Sequence, residues 1–359
     1  MAGPASLRGL LRAPAPGGLV LRSVSDDVYR NLALEDWVHE HADLEGRPVL
    51  LLWRNSPSVV VGRHQNAWRE CDLRLLRERG VRLARRKSGG GAVFHDLGNV
   101  NLTFFTTRRE HDRRAHLGLV AGALRALQPR LAVTATERGD LLLADGRKVS
   151  GAAARLGRTA AYHHCTLLCA ADRALLAAVL AGRTEGLACR ATRSVPAPVG
   201  NLREADPALT WERVAGAVAA AFAAARRAPG DVVPVDPADE AAFPGIGRGA
   251  RELGAWDWVY GRSPPFRLRA DVPVPPGGPG APRVGVDVAV RAGRVEACRL
   301  RPPPAWLPAE LCDELAAGLA GRRFRPGEAA RVAAPGLARH DGEVGRRWSL
   351  LCRSLDALM

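Results

Sequence analysis

RRKSGGGAVFHDLGNVN, residues 85–101, is the stretch on which the reading turns. Arg85, Arg86 and Lys87 lead into Ser88, and three glycines follow, Gly89, Gly90 and Gly91. A short apolar step, Ala92-Val93-Phe94, precedes a polar cluster of His95, Asp96, Asn99 and Asn101. Each glycine costs backbone entropy and packs nothing. Three together between strand-like flanks mark a place where backbone approaches a ligand closely. The adjacent positive charge makes that ligand anionic, and backbone N–H groups in such a turn line up on a phosphate. A flexible surface loop is the competing reading of a bare glycine triplet. The arginines, His95 and the apolar residues on both sides favour the ligand site. Neither a GxxxxGK(S/T) loop nor a strand–GxGxxG–helix unit is present, so the anion is held by another arrangement.

A second chemical stretch covers residues 140–155. Asp140 precedes an apolar run, Asp145-Gly146 marks a hairpin turn, and Lys148, Val149, Ser150 and Gly151 lie on the returning strand. Alone, Lys148 reads as a solvated hairpin residue. Held near a phosphate, it would stabilise charge that develops in a transition state. His163-His164 leads a strand-like run, where neutral imidazoles read as hydrogen-bonded core groups rather than catalysts.

Around these stretches the periodicities predict helices over 26–43, 68–79, 117–127, 171–181 and 210–227. Strands are expected over 49–53, 57–61, 81–84, 101–106 and 131–136, with Phe104 and Phe105 on opposite faces. Residues 62–66 form a polar turn that could rim the same pocket. Residues 182–202, with Arg190, Arg193 and Ser194, read as a basic loop, and Pro234 and Pro237 as interruptions. The aromatic run at 256–261 precedes a hairpin over 284–289 and 295–300. Pro308 opens a helix to about 319, so residues 265–359 read as a small α+β domain.

The chain of 359 residues, 47% hydrophobic, can build one large domain and a smaller one. No run of 18 apolar residues exists, so no membrane span is expected. The net charge of +15, mostly arginine, raises a nucleic-acid hypothesis, but the arginines are scattered and no zinc-finger spacing or RNA motif accompanies them. Seven cysteines without a CxxC pair read as free thiols in a reducing compartment, with no metal site expected. Residues 1–25 lack acids and contain Arg8, Arg12 and Arg22, the pattern of a mitochondrial transit peptide.

Taken together, six ordered blocks resemble the lipoate–protein ligase A and lipoyltransferase family, nearest its animal mitochondrial members. They are NLALEDW (31–37), SVVVGRHQNAWRE (58–70), RRKSGGGAVFHDLGNVNLTF (85–104), GRKVSGAAAR (146–155), HHCTLL (163–168) and WDWVYG (256–261). The resemblance implies an α+β fold. A large catalytic domain over 26–262 would have twisted mixed β-sheets flanked by helices, related to the biotin–protein ligase catalytic domain, with a small α+β C-terminal domain over 265–359. It implies that Arg85, Arg86, Ser88, Gly89, Gly90, Gly91 and His95 carry the loop bordering the lipoyl chain and adenylate phosphate. Val149, Ser150 and Gly151 would be walls, Asp140 a nucleotide contact, and Lys148 the essential lysine. Residues 182–202 would cover the adenylate.

The implied reaction moves a lipoyl group to the lysine of an E2 lipoyl domain of a 2-oxoacid dehydrogenase. The donor would be lipoyl-AMP or the lipoylated glycine-cleavage H protein. No tightly bound cofactor is expected, nor a nucleic-acid or membrane partner, and the expected state is a monomer in the mitochondrial matrix. Arg138-Gly139-Asp140-Leu141 departs from the Arg-Asn-Asp-Leu of bacterial ligases, which puts activation of free lipoate by ATP in doubt. An ATP-dependent lipoate–protein ligase is the alternative, and a basic nucleic-acid-binding protein a more distant one.

Overall fold

The structure, a computed structural model, describes Gly9, Leu11 and residues 17–183, 185–273 and 283–359. The chain divides into two compact units. The first comprises Met1–Arg63, Glu70–Ala181 and Arg193–Ala255, and the second His64–Arg69, Gly182–Thr192 and Trp256–Met359. The second unit thus takes in two earlier segments that a single division at 262/265 leaves with the first.

The strands in chain order are β1 (Leu19–Ser23), β2 (Val49–Trp53), β3 (Ser58–Val61), β4 (Arg82–Arg85), β5 (Val93–His95), β6 (Asn99–Thr107), β7 (Val133–Ala135) and β8 (Leu141–Leu143). They continue as β9 (Lys148–Leu156), β10 (Ala160–Leu168), β11 (Leu187–Cys189), β12 (Val232–Val235), β13 (Phe266–Pro273), β14 (Arg283–Arg291) and β15 (Arg294–Arg301). The first unit holds an eight-stranded sheet in the order β12-β1-β2-β6-β10-β9-β8-β7 and a three-stranded sheet, β4-β3-β5. Both are mixed: β1 runs parallel to β2 and β12, and β3 parallel to β4, whereas β6, β9 and β10 pair antiparallel.

Helices cover the large sheet on both faces, so β2 reads as a continuous apolar run, while β6 carries Asn99, Asn101 and Thr103 between its apolar residues. On one face the helices Arg113–Leu127 and Trp211–Arg226 pack Leu117, Val120, Leu124, Val218 and Phe222 against Leu50, Leu102 and Phe104. On the other, helix Val28–His41 lies against β6 and β10. Phe104 meets Phe222 at 6.1 Å and Phe105 meets Tyr162 at 5.8 Å, so the two rings do point to opposite sides.

Four expectations are corrected. A leader reaching residue 25 overlaps β1, whose Leu19, Val20 and Leu21 are buried between β2 and β12; residues 1–8, 10 and 12–16 lie outside the described residues. Residues 68–79 form two short helices, because Asp72 accepts from the Leu75 amide at 2.9 Å and caps a new start. Pro234 interrupts nothing: it sits in β12, at the sheet edge, where a missing N–H costs no ladder bond. His163 is buried without a hydrogen-bond partner for either ring nitrogen among the described residues. Its ring stacks on that of His116 at 5.5 Å.

In the second unit β11-β13-β14-β15 form an antiparallel sheet. Val284, Val286, Val288 and Val290 line its inner face. The helices Ala309–Leu319, Glu328–Leu337 and Gly342–Leu358 complete this unit. Trp68, Phe266 and Phe324 form an aromatic cluster, with ring centroids 5.1–5.8 Å apart. Among the described residues no helix is long and apolar enough to cross a membrane.

Candidate active site

The glycine turn leaves β4 and enters β5, and it is fixed from beneath. Arg86 is fully buried and donates from Nε to Ser88 Oγ (3.0 Å) and from Nη1 to the Val60 carbonyl (3.0 Å). Its Nη2 reaches the carbonyls of Gly89 (2.5 Å) and Gly91 (2.7 Å). Arg85 donates to the carbonyls of Gly62 (3.0 Å) and Arg63 (3.2 Å). Burial pulls both guanidinium pKa values down, to about 10. Both stay charged at neutral pH and are directed at backbone oxygens. Arg86 is therefore a clamp under the turn, and Arg85 holds the neighbouring Gly62–Arg63 segment.

Gly62 explains why the preceding strand ends in glycine. A Cβ there would lie 2.2 Å from the Gly90 carbonyl oxygen. Gly90 itself has φ +84°, a region that favours glycine. His95 is also a support. The Asn55 amide donates to its Nδ1 (3.0 Å), so its Nε2–H donates to Thr166 Oγ1 (3.0 Å). Burial drives its pKa down to about 3, and the ring is neutral.

Behind Ser88 runs a relay that the sequence reading missed. The Ser88 hydroxyl meets His164 Nε2 at 3.0 Å, and His164 Nδ1 meets Glu35 Oε1 at 2.8 Å. Glu35 also accepts from Thr103 Oγ1 at 2.8 Å, and Trp53 Nε1 donates to Thr103 Oγ1 at 2.9 Å. Burial raises the Glu35 carboxyl pKa, but the His164 and Thr103 contacts outweigh it and hold the pKa below the usual value. The available signal was a pair of acids, Glu35-Asp36, inside an otherwise apolar helical run.

Lys148 opens β9 just after the hairpin. Its Nζ lies 2.8 Å from Asp140 Oδ1, with both side chains about a quarter exposed. Its backbone is held by the neighbouring segment, its N–H on the Pro198 carbonyl (2.8 Å) and its carbonyl on the Gly200 N–H (3.0 Å). A Cβ on Gly151 would stand 3.5 Å from Lys148 Nζ and 4.0 Å from Val93 Cγ1, and one on Gly90 would stand 3.3 Å from the Ala153 Cβ. Lys148 and Gly90 of the turn thus both flank β9, one beside Gly151 and the other beside Ala153. Ser194 closes the other flank: its Oγ accepts the Ala92 N–H at 2.9 Å, and its own N–H donates to Glu70 Oε2 at 3.0 Å.

Lys148, Asp140 and Gly151 thus cluster at β9, with Gly90 beside Ala153 of the same strand. Val149 belongs to the core cluster and Ser150 is buried, so both back the site from within the sheet. Among the described residues no group of His, Cys, Asp and Glu could hold a metal, and the seven cysteines are free thiols. Chemically, the arrangement offers one ammonium at β9, while the Ser88 hydroxyl–His164–Glu35 chain, in which Ser88 Oγ also accepts from the buried Arg86 Nε, ties the turn to helix Val28–His41. Such an ammonium suits stabilising an activated acyl group while an amine arrives from outside.

Residues 27–223 match the family described as Lipoyl protein ligase A/B catalytic domain. The mitochondrial lipoyl amidotransferase LIPT1 of Mus musculus is 47% identical over 350 residues, covering 97% of this chain and 94% of that protein. The Homo sapiens protein of the same name is 46% identical over 344 residues, covering 95% and 92%. The crystal structure of P. falciparum LipL1 with lipoate has a similar fold, with a TM-score of 0.60 at 22% identity, covering 95% of this chain and 99% of that one.

Proposed function

The chain belongs to the lipoyl protein ligase A/B family, and from that premise we propose that it is a mitochondrial lipoyl amidotransferase. It moves a lipoyl group onto the acceptor lysine of E2 lipoyl domains of 2-oxoacid dehydrogenases, from lipoyl-AMP or from the lipoylated glycine-cleavage H protein, in the matrix. The observation that supports this reading is that Lys148 and Gly90 of the glycine turn both flank β9, beside Gly151 and Ala153. The extent of identity to the two amidotransferases, over nearly the whole of each chain, supports it.

Lipoyl-AMP is a mixed anhydride. The acceptor ε-amine nitrogen attacks the acyl carbon, the C–O bond to phosphate breaks, AMP departs with that electron pair, and the amine loses a proton as the amide forms. Lys148 neutralises the phosphate and the developing carbonyl oxyanion. The Lys148–Asp140 pair, being partly exposed, contributes about 0–1 kcal/mol, so an incoming phosphate can compete for the ammonium. The glycine turn admits the anhydride closely and holds it in line for attack.

One departure bears on transfer against lipoate activation: Gly139, at the position of the bacterial Asn, has no amide side chain to offer a nucleotide, and it takes φ +85° beside the exposed Arg113 side chain. The test is intact-mass analysis of an apo lipoyl domain after incubation with lipoate plus ATP, with lipoyl-AMP, or with lipoylated H protein. Efficient labelling from the second or third is expected. Labelling from lipoate plus ATP alone would replace the amidotransferase by a ligase.

A further inference from the structure

The outward face of the sheet in the second unit is a ladder of arginines. Strand alternation turns Leu268, Val272, Val286 and Val288 inward and leaves the residues between them to solvent. Cross-strand register then sets Arg269 beside Asp287 and Arg299, and Asp271 beside Gly285 and Arg301, in two adjacent rows. Neighbouring strands lie about 4.8 Å apart and alternate residues on one strand about 7 Å apart. The rows therefore bring these guanidiniums within one small area.

Asp287 takes up two of them, Arg267 by a paired contact (2.6 Å on the longer arm) and Arg269 at 3.3 Å. Arg283 donates to the backbone carbonyl of Asp271 at 2.6 Å. Arg183, Arg299 and Arg301 enter no ion pair among the described residues. Part of this face is concave: a depression of about 970 Å³ lies over Gly285, bordered by Arg183, Arg269, Arg283 and Arg301. Gly285 is the low point because it adds no side chain between Asp271 and Arg301.

Guanidinium forks select carboxylates and phosphates. Two observations favour carboxylates on a folded partner. First, Asp271, Asp287 and Glu185 are set among the arginines, and they repel a continuous polyphosphate chain but match a protein surface whose acids are interspersed with other groups. Second, among the described residues of β13, β14 and β15 no exposed aromatic ring stands ready to stack on bases, as single-stranded nucleic acid requires.

We propose that the face made by β13, β14 and β15 docks an acidic surface of the acyl-carrier domain that donates or accepts the lipoyl group. The choice of partner rests on the proposed function; the charge pattern itself does not. Contacts of this kind raise the encounter rate and its salt sensitivity more than they alter chemistry.

The test uses the full chain and the double variant Arg299→Glu/Arg301→Glu, with Arg74→Glu/Arg77→Glu, a double reversal on an exposed helix of the first unit, as control. Association of an apo lipoyl domain is followed by fluorescence anisotropy across a salt series, beside aminolysis of lipoyl-AMP by hydroxylamine. The expected result is an association rate lowered about tenfold and a flattened salt slope in the first variant only, with aminolysis and melting temperature unchanged. Domain association in the Arg299/Arg301 variant at the wild-type rate would overturn the proposal, as would loss of homopolymeric RNA binding alone. If the domain binds at this face and no donor yields transfer, the docking stands and the proposed function falls. If transfer proceeds in the reversed variant with association at the wild-type rate, the function stands and the docking falls.

Discussion

Lys148 stands 2.8 Å from a carboxylate before any ligand arrives, so its charge is balanced at rest and available on demand. Lys148→Met should leave the fold intact and lower acyl transfer by roughly 10²–10³-fold, read by acceptor mass against a melting curve. Unchanged transfer would remove the ammonium from the reaction. The buried imidazoles make a separate prediction. Burial holds His95, His116 and His163 near 3, 4 and 2. Below the ordinary 6.5 the unfolded chain takes up protons that the folded one refuses, so stability falls as pH drops from 6.5 towards 4, by about 1.4 kcal/mol per pH unit for each group. Asp36, raised by burial to about 7, acts in the opposite sense and cancels about one of the three. Urea midpoints should therefore fall steeply over that range, and His163→Leu should flatten the slope by one proton. An unaltered slope would mean that His163 takes up a proton in the folded state. Of the proposed site, the glycine triplet stood out in the sequence because three adjacent glycines are costly without a purpose, whereas Lys148 drew attention only through the family resemblance. Glu35 and His164 did not stand out, because a carboxylate within an apolar helix shows its partner only once β10 is in place.

At the level of single elements, the turn of residues 88–91 depends on the strand beside it. Gly62→Ala would drive a methyl into the Gly90 carbonyl at 2.2 Å. We expect transfer to fall at least about tenfold through misplacement of the turn, with far-UV circular dichroism unchanged; wild-type rates would show the turn to be pliable. Helix Val28–His41 is anchored by Asp27, which accepts from Tyr29 N (2.9 Å) and Arg30 N (3.0 Å) and pairs with Arg82. Asp27→Ala should cost about 1 kcal/mol in a denaturant titration, beyond any loss of the partly exposed ion pair. Strand β2 was legible from its apolar run, and β6 from Leu102, Phe104 and Phe105 set among threonines. The helices Glu328–Leu337 and Gly342–Leu358 were not, since Pro335, Gly336 and Gly345 break the pattern that would announce them. Strand β13 was passed over because it ends in Pro273 and alternates arginine with leucine.

For the molecule as a whole, the large sheet sets where the chain can be trimmed. A chain beginning at Gly17 should fold and melt cooperatively. One beginning at Asp26 loses the burial of Leu19, Val20 and Leu21, about 1.5–3 kcal/mol apiece, against a total stability of about 5–15 kcal/mol. It should be recovered aggregated or partly unfolded, and a cooperative melt at the same temperature would refute this. Reading residues 1–25 as one leader missed the strand because arginines and small residues run without a break from the leader-like part into Leu19–Ser23.

The place of β1 between β2 and β12 also sets a timetable. Its first neighbour emerges within about thirty residues, but the second, Val232–Val235, is made nearly two hundred later. At about 5–20 residues per second, one side of a hydrophobic ribbon waits on the order of ten seconds or more for its mate. Newly made or newly imported chains thus pass through a stage with an unpaired edge, where a chaperone has most to protect and where a slow codon or a stalled translocation would do most harm.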